Sequence, residues 1–148
     1  MTNECIPTKE ASYTRKITVH AGYAMTGKTF AGPLTSRQSG GLGGLAADPL
    51  AAGDGSNLLC PAAPAAGGEV AGVIGWDVAN GGKAPIIAGA GTFLPVTSGA
   101  AVVVGNELQV DTSGRVVPFS SGRKVGKAHS AAGAAGVDVE VELYGPAI

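Results

Sequence analysis

The stretch VDVEVELY at 137–144 alternates without a break. Val137, Val139, Val141 and Leu143 fall on one side, and Asp138, Glu140 and Glu142 on the other. A period of two is the signature of an extended strand with one face in a core and one in water or against a basic partner. Working outward, the neighbouring segments repeat this at short intervals. RKITVH (15–20), EVAGVIGWD (69–77), APIIA (84–88), TFLPV (92–96) and KVGKAH (124–129) read as further strands. AAVVVG (100–105) leads into NELQV (106–110), and the DTSG turn at 111–114 joins that run to RVVPF as a hairpin. No window carries an apolar stripe at helical spacing that is free of glycine. Short strands separated by turn signals predict an all-β domain over 69–148, a small β-barrel or sandwich.

The chain before residue 69 reads differently. Residues 1–20 form an N-terminal arm with one strand, and 21–68 form an irregular Gly/Ala/Pro-rich segment. Pro33, Pro49, Pro61 and Pro64 and three glycine pairs resist both helix and central strand. Such a segment has little apolar bulk and is expected to order on a surface. Charge divides along the same line. Residues 1–45 hold five basic side chains against two acidic ones, and 46–148 hold five against nine. A positive leading segment suits an acidic partner surface. Its strand, with Arg15, Lys16, Ile17 and Val19, is the candidate for addition to a partner's sheet edge.

GYAMTGKT at 22–29 spells the phosphate-loop pattern, with Gly22, Gly27, Lys28 and Thr29 at its fixed positions. A working phosphate loop lies between a buried strand and a helix whose N-terminus holds the phosphates. Here Gly32 and Pro33 follow within four residues, where a proline costs a helix about 3 kcal/mol. In a chain with 25 glycines the pattern is read as accidental, its glycines serving as flexible loop points.

Other chemistry is sparse. His20 and His129 end strands, and nothing in the sequence brings either to an aspartate; surface or capping roles are expected. Asp48, Asp54 and Asp111 are isolated turn residues. Cys5 and Cys60 have no metal-ligand spacing; free thiols are expected, with one bridge as the alternative. Trp76 and Phe93 are candidates for a subunit interface. The expectation is a protein without enzymatic activity, cofactor or metal, and with no nucleic-acid or membrane partner. MTNECIPTKE lacks the apolar run of a signal peptide, which predicts synthesis in a host cytoplasm.

From residue 69 onward the chain resembles the decoration (cement) proteins of tailed-phage capsids. The likeness is carried by Val73-Ile74-Gly75, the Gly-x-Phe-x-Pro element at Gly91–Pro95 and the Ser-Gly-Ala-x-Val-x-x-Gly step at 98–105. It continues in Val-Asp-x-x-Gly-Arg-Val at 110–116, Val-Gly-x-Ala at 125–128 and Ala-Gly-x-x-Gly-Val-x-Val-x-Val at 132–141. The resemblance implies a β-barrel or β-tulip-like protein on the outer surface of a virion. It implies a homotrimer at three-fold positions that staples major capsid protein subunits together. An adhesin or glycan-binding β module on a virion or cell surface is the alternative.

Overall fold

The computed structural model describes residues 4–10, 14–37 and 58–145. The described residues contain eleven strands and no helix. In chain order they are β1 (Arg15–His20), β2 (Phe30–Ala31), β3 (Leu34–Arg37), β4 (Leu59–Pro61), β5 (Gly72–Ile74) and β6 (Lys83–Ala88). Then come β7 (Phe93–Thr97), β8 (Glu107–Val110), β9 (Val116–Pro118), β10 (Gly126–Ala128) and β11 (Asp138–Leu143). They form a four-stranded sheet ordered β1-β6-β5-β2, a five-stranded sheet ordered β7-β11-β10-β8-β9 and a β3-β4 ribbon. Every ladder is antiparallel.

The all-β class holds, but no sheet closes into the expected barrel. The two edges of the five-stranded sheet meet at a single parallel bridge, Ser98↔Val116, beyond the end of β7. Closure needs a ladder whose stagger and tilt agree around the ring. One bridge curls the sheet without sealing it.

The two sheets share one core. The four-stranded sheet contributes Phe30, Val73 and Ile87, and the five-stranded sheet contributes Leu94, Leu108, Val110, Val116, Val139 and Val141. In β11 the alternation works as read: Val139, Val141 and Leu143 are buried, while Asp138 is exposed. Val137 lies just outside the strand and is 43% exposed. A second core, with Val19, Ala21, Met25, Ala31, Ile74, Ala84 and Ile86, covers the other side of the four-stranded sheet. Both β5 and β6 are therefore buried on two faces: Val73 and Ile87 enter the first core, Ile74 and Ile86 the second. That accounts for the continuous apolar run in APIIA.

The amino-terminal segment departs from the sequence reading. β1 is not the strand of a separate arm; it pairs with β6 along all six residues, from Arg15↔Ala88 to His20↔Lys83. Residues 4–10 are also bound to both sheets. The Cys5 N–H donates to Gly75 C=O (2.7 Å), and Lys9 and Phe93 form a bridge. The Thr8 hydroxyl donates to the Glu140 carboxylate. Residues 21–68, read as irregular, supply β2, β3 and β4. Pro33 and Pro61 sit where prolines are tolerated, Pro33 before β3 and Pro61 at the end of β4, while Pro49 lies outside the described residues.

The DTSG turn forms as expected. Asp111 Oδ1 accepts the N–H groups of Ser113 (2.8 Å) and Arg115 (2.9 Å), and Gly114 takes φ +76°. Its carbonyl accepts the Phe30 N–H at 2.8 Å, so the hairpin tip of one sheet is tied to β2 of the other.

Candidate docking surfaces

The phosphate-loop lookalike lies at the seam between the sheets. The Gly27 N–H donates to Asp77 Oδ1 (2.9 Å), and the Lys28 N–H donates to Ile74 C=O (3.0 Å). The Lys28 carbonyl accepts the Thr97 N–H (2.8 Å), and its ammonium sits 2.7 Å from Asp138 Oδ2. The Thr29 hydroxyl donates to Thr26 C=O (2.6 Å). A phosphate would need these same donors, and protein acceptors hold them. A two-residue strand, β2, follows in place of a helix. Lys28 has φ +62°, a left-handed conformation that a side chain rarely adopts. Contacts on both sides of the seam hold it there.

The four residues proposed for partner binding separate. Arg15, Lys16 and Ile17 are exposed on β1. Val19 is not available: burial in β1 sets in only at its carboxyl end, where Val19 joins the second core with its cross-strand partner Ala84 and with Ile86. Lys16 pairs with Glu10 at 2.6 Å, and both side chains are about half exposed, so water screens the pair and it is weak. Among the described residues β1 pairs only with β6, which makes it an edge of its sheet.

Trp76 and Phe93 lie at the two ends of the amino-terminal segment, whose backbone bonds to Gly75 beside Trp76 and then to Phe93. Trp76 is 43% exposed and lines a groove of about 240 Å³ with Ile6, Pro7, Lys16, Pro85 and Ile87. Phe93 is half-buried; its ring lies 4.7 Å from the His129 ring, with the Lys9 ammonium 5.5 Å from its centroid. His129 Nε2 stands 2.8 Å from Glu142 Oε1. His20, expected at a surface, is buried among apolar neighbours; its Nδ1 and the Tyr23 hydroxyl have no partner among the described residues. Asp48 and Asp54 lie outside the described residues.

Among the described residues no group of three or more His, Cys, Asp or Glu could hold a metal, and no helix is long and apolar enough to cross a membrane. Cys5 and Cys60 are both buried, and no disulfide joins them. Burial pushes the Cys5 thiol from its ordinary 9.0 up to about 12, a rise that nearby Lys28 partly opposes. Burial likewise pushes the Tyr23 hydroxyl up to about 12. The sign follows directly. The fold favours both neutral forms, so their contribution is complete below about pH 9 and is lost as pH climbs toward 12. Denaturant melts should thus show constant stability from pH 7 to 8.5 and a decline above pH 9. A flat profile to about pH 10.5 would contradict the burial argument.

Sequence reasoning missed the exposed apolar tip at one end of the five-stranded sheet. The 98–106 connection (β7 to β8) and the 129–137 connection (β10 to β11) leave the same end and are bonded to each other through the Val102↔Ala132 bridge. Val103, at 65%, and Val104, at 59%, stand exposed in a turn closed by the Asn106 N–H on Val103 C=O. AAVVVG had the composition of a buried strand; only its position at a loop tip exposes it.

No family model matches the chain, and no curated protein matches it. Among solved structures the chain is similar to the N base of head fiber gp8.5 in bacteriophage phi29. The superposition has a TM-score of 0.64 at 15% sequence identity and covers 91% of this chain and 98% of the other. At that identity the likeness establishes a shared fold across nearly the whole of both chains.

Proposed function

We propose that this chain is a structural protein of a phage head, carried on the outer capsid surface, that binds major capsid protein and self-associates, as a trimer at three-fold positions. The observation that carries the reading is the fold shared with a phage head-fiber base over 91% of the chain. The decoration-protein vocabulary of residues 69–148 supports the same class independently of that fold. The proposed role is non-enzymatic, and bridging of neighbouring capsomers follows from multivalency: several weak contacts become strong when one rigid body makes them together.

β1 is the proposed capsid contact. It offers exposed cations at Arg15 and Lys16 and an exposed apolar side chain at Ile17. Deleting residues 1–20 would remove a paired strand of the body, so charge reversal is the sharper probe. Purified protein should co-sediment saturably with undecorated expanded heads. The Arg15→Glu/Lys16→Glu double variant should fold normally and lose about tenfold or more in affinity, because like charges then face an acidic surface. Equal binding by both proteins would remove β1 from the contact, and no binding by either would overturn the capsid reading. The groove beside Trp76 favours the second reading, a glycan-binding module, in that one exposed aromatic ring lies among apolar walls with Lys16 and Glu4 at hand.

A further inference from the structure

The groove beside Trp76 is held in shape by the backbone that lines it. The Gly75 N–H donates to Pro85 C=O (2.8 Å), and the Gly75 carbonyl accepts the Cys5 N–H (2.7 Å). One residue thus ties the amino-terminal segment to β6. A Cβ at position 75 would fall on the Pro85 ring, so glycine is what lets that ring pack so close. Cys5 is buried, and its thiol donates to Pro95 C=O at 3.4 Å, which fixes the wall that carries Ile6 and Pro7. Beyond Trp76, Asp77 accepts the Gly27 N–H, and Val78 exchanges two backbone bonds with Met25. Trp76 therefore stands between anchored neighbours, yet its side chain stays exposed where Phe30 is buried in the core. A groove with walls fixed in this way loses little freedom when it is filled.

We infer that this groove holds a single sugar ring, a neutral pyranose unit of a glycan, against Trp76, with its hydroxyls between Glu4 and Lys16. Three observations select that occupant. The space is about 240 Å³, which takes one ring. It is smaller than the roughly 300–1,000 Å³ of sites for larger ligands. The wall of Trp76, Ile6 and Pro85 suits a ligand with an apolar C–H face. The rim carries one carboxylate and one ammonium, whose charges cancel, so it selects neither an anion nor a cation. The Glu4 carboxylate has no hydrogen bond or ion pair among the described residues, and the Lys16 ammonium has donors to spare beside Glu10. A hydrocarbon covering them would leave both charges without partners. Sugar hydroxyls donate to the carboxylate and accept from the ammonium, and the ring still offers its apolar face. The inference rests on the second, glycan-binding reading, gives it a site and a ligand class, and does not depend on capsid binding.

Trp76 is the only tryptophan in the chain, so its fluorescence reports on the groove directly. The full chain should be titrated separately with the methyl glycosides of glucose, galactose, mannose and N-acetylglucosamine. At least one should shift the emission saturably, with a dissociation constant on the order of 1 mM, as suits so small a ligand. Sorbitol, which has the hydroxyls but no ring, should not. Calorimetry should then show binding abolished in Trp76→Ala and weakened about tenfold in Glu4→Gln. Both positions are exposed, so both variants should melt like the parent. No saturable shift with any of the four glycosides would overturn the inference. Sugar binding that survives both substitutions would remove this site and leave the glycan-binding reading. Saturable binding of a proline-rich peptide, without sugar binding, would overturn the inference and assign the groove to a protein partner. Head co-sedimentation without sugar is scored separately. A chain that binds heads and no sugar loses only this inference, and one that binds sugar and ignores heads loses only the capsid reading.

Discussion

Gly114→Ala should destabilise the protein by about 2–5 kcal/mol, lowering its melting temperature by roughly 5–15 °C. Two costs add. Gly114 has φ +76°, and a side chain in that region costs about 1–2 kcal/mol. A Cβ there would also fall well inside contact distance of the Phe30 carbonyl oxygen and close to the Phe30 nitrogen, in backbone that cannot rotate away. Forcing it in costs about 1–3 kcal/mol more and pulls at the Phe30 N–H···O=C Gly114 bond between the sheets. Two other glycines separate the terms. Gly105 has φ +90° with open space around it, so Gly105→Ala should show the backbone cost alone. Gly133 has neither strain nor crowding, and Gly133→Ala should be near neutral. Chemical denaturation of the three variants should therefore rank them Gly114, Gly105, Gly133. Equal losses at Gly114 and Gly105 would mean that the hairpin tip does not press on β2.

The same tie shows why the sequence disclosed half of this fold readily and the rest poorly. The five-stranded sheet is legible because each strand decides its own faces: Val139 and Val141 alternate with Glu140, and Asp111 and Gly114 mark their turn by local chemistry. The four-stranded sheet is held by partners distant in sequence. Phe30–Ala31 is too short to show any period and becomes a strand only through Val73 and Gly72. β3 and β4 pair across more than twenty intervening residues, and their prolines argued locally against strands. Val19 looked like a contact residue because RKITVH gives no sign that its carboxyl end will enter the second core. The docking surfaces divide in the same way. Exposure of Arg15 and Lys16 follows from charge, which avoids burial without a partner. Exposure of Val103 and Val104 cannot be read from residue type, since the same letters fill the core at Val110 and Val116. The phosphate-loop pattern is a third case. Its glycine and lysine are used, but to bind Asp77 and Ile74 on one side of the seam and Asp138 on the other, a role that needs the tertiary fold to exist first.

Phe30→Ala should cost about 3–5 kcal/mol, among the largest losses for a single side chain in this molecule. The ring is fully buried and lies with Val73 and Ile87 on the four-stranded sheet's contribution to the shared core. It belongs to a strand of two residues, so no neighbouring turn of structure can close over the cavity. The ring and Gly114 also act on the same piece of backbone. With the ring in place β2 is pinned in the core and must absorb an added methyl at Gly114 as strain; with a smaller side chain it can draw back. The two changes should therefore be less than additive. The cycle is best run with Phe30→Leu, because two large losses together would approach the roughly 5–15 kcal/mol that hold a domain folded. The double variant Phe30→Leu/Gly114→Ala should be more stable than the sum of its singles predicts by about 0.5–1 kcal/mol. Additivity within about 0.3 kcal/mol would show that β2 holds its position without the ring. The junction between the sheets would then rest on the backbone bonds Phe30–Gly114 and Thr97–Lys28 together with the Lys28–Asp138 ion pair.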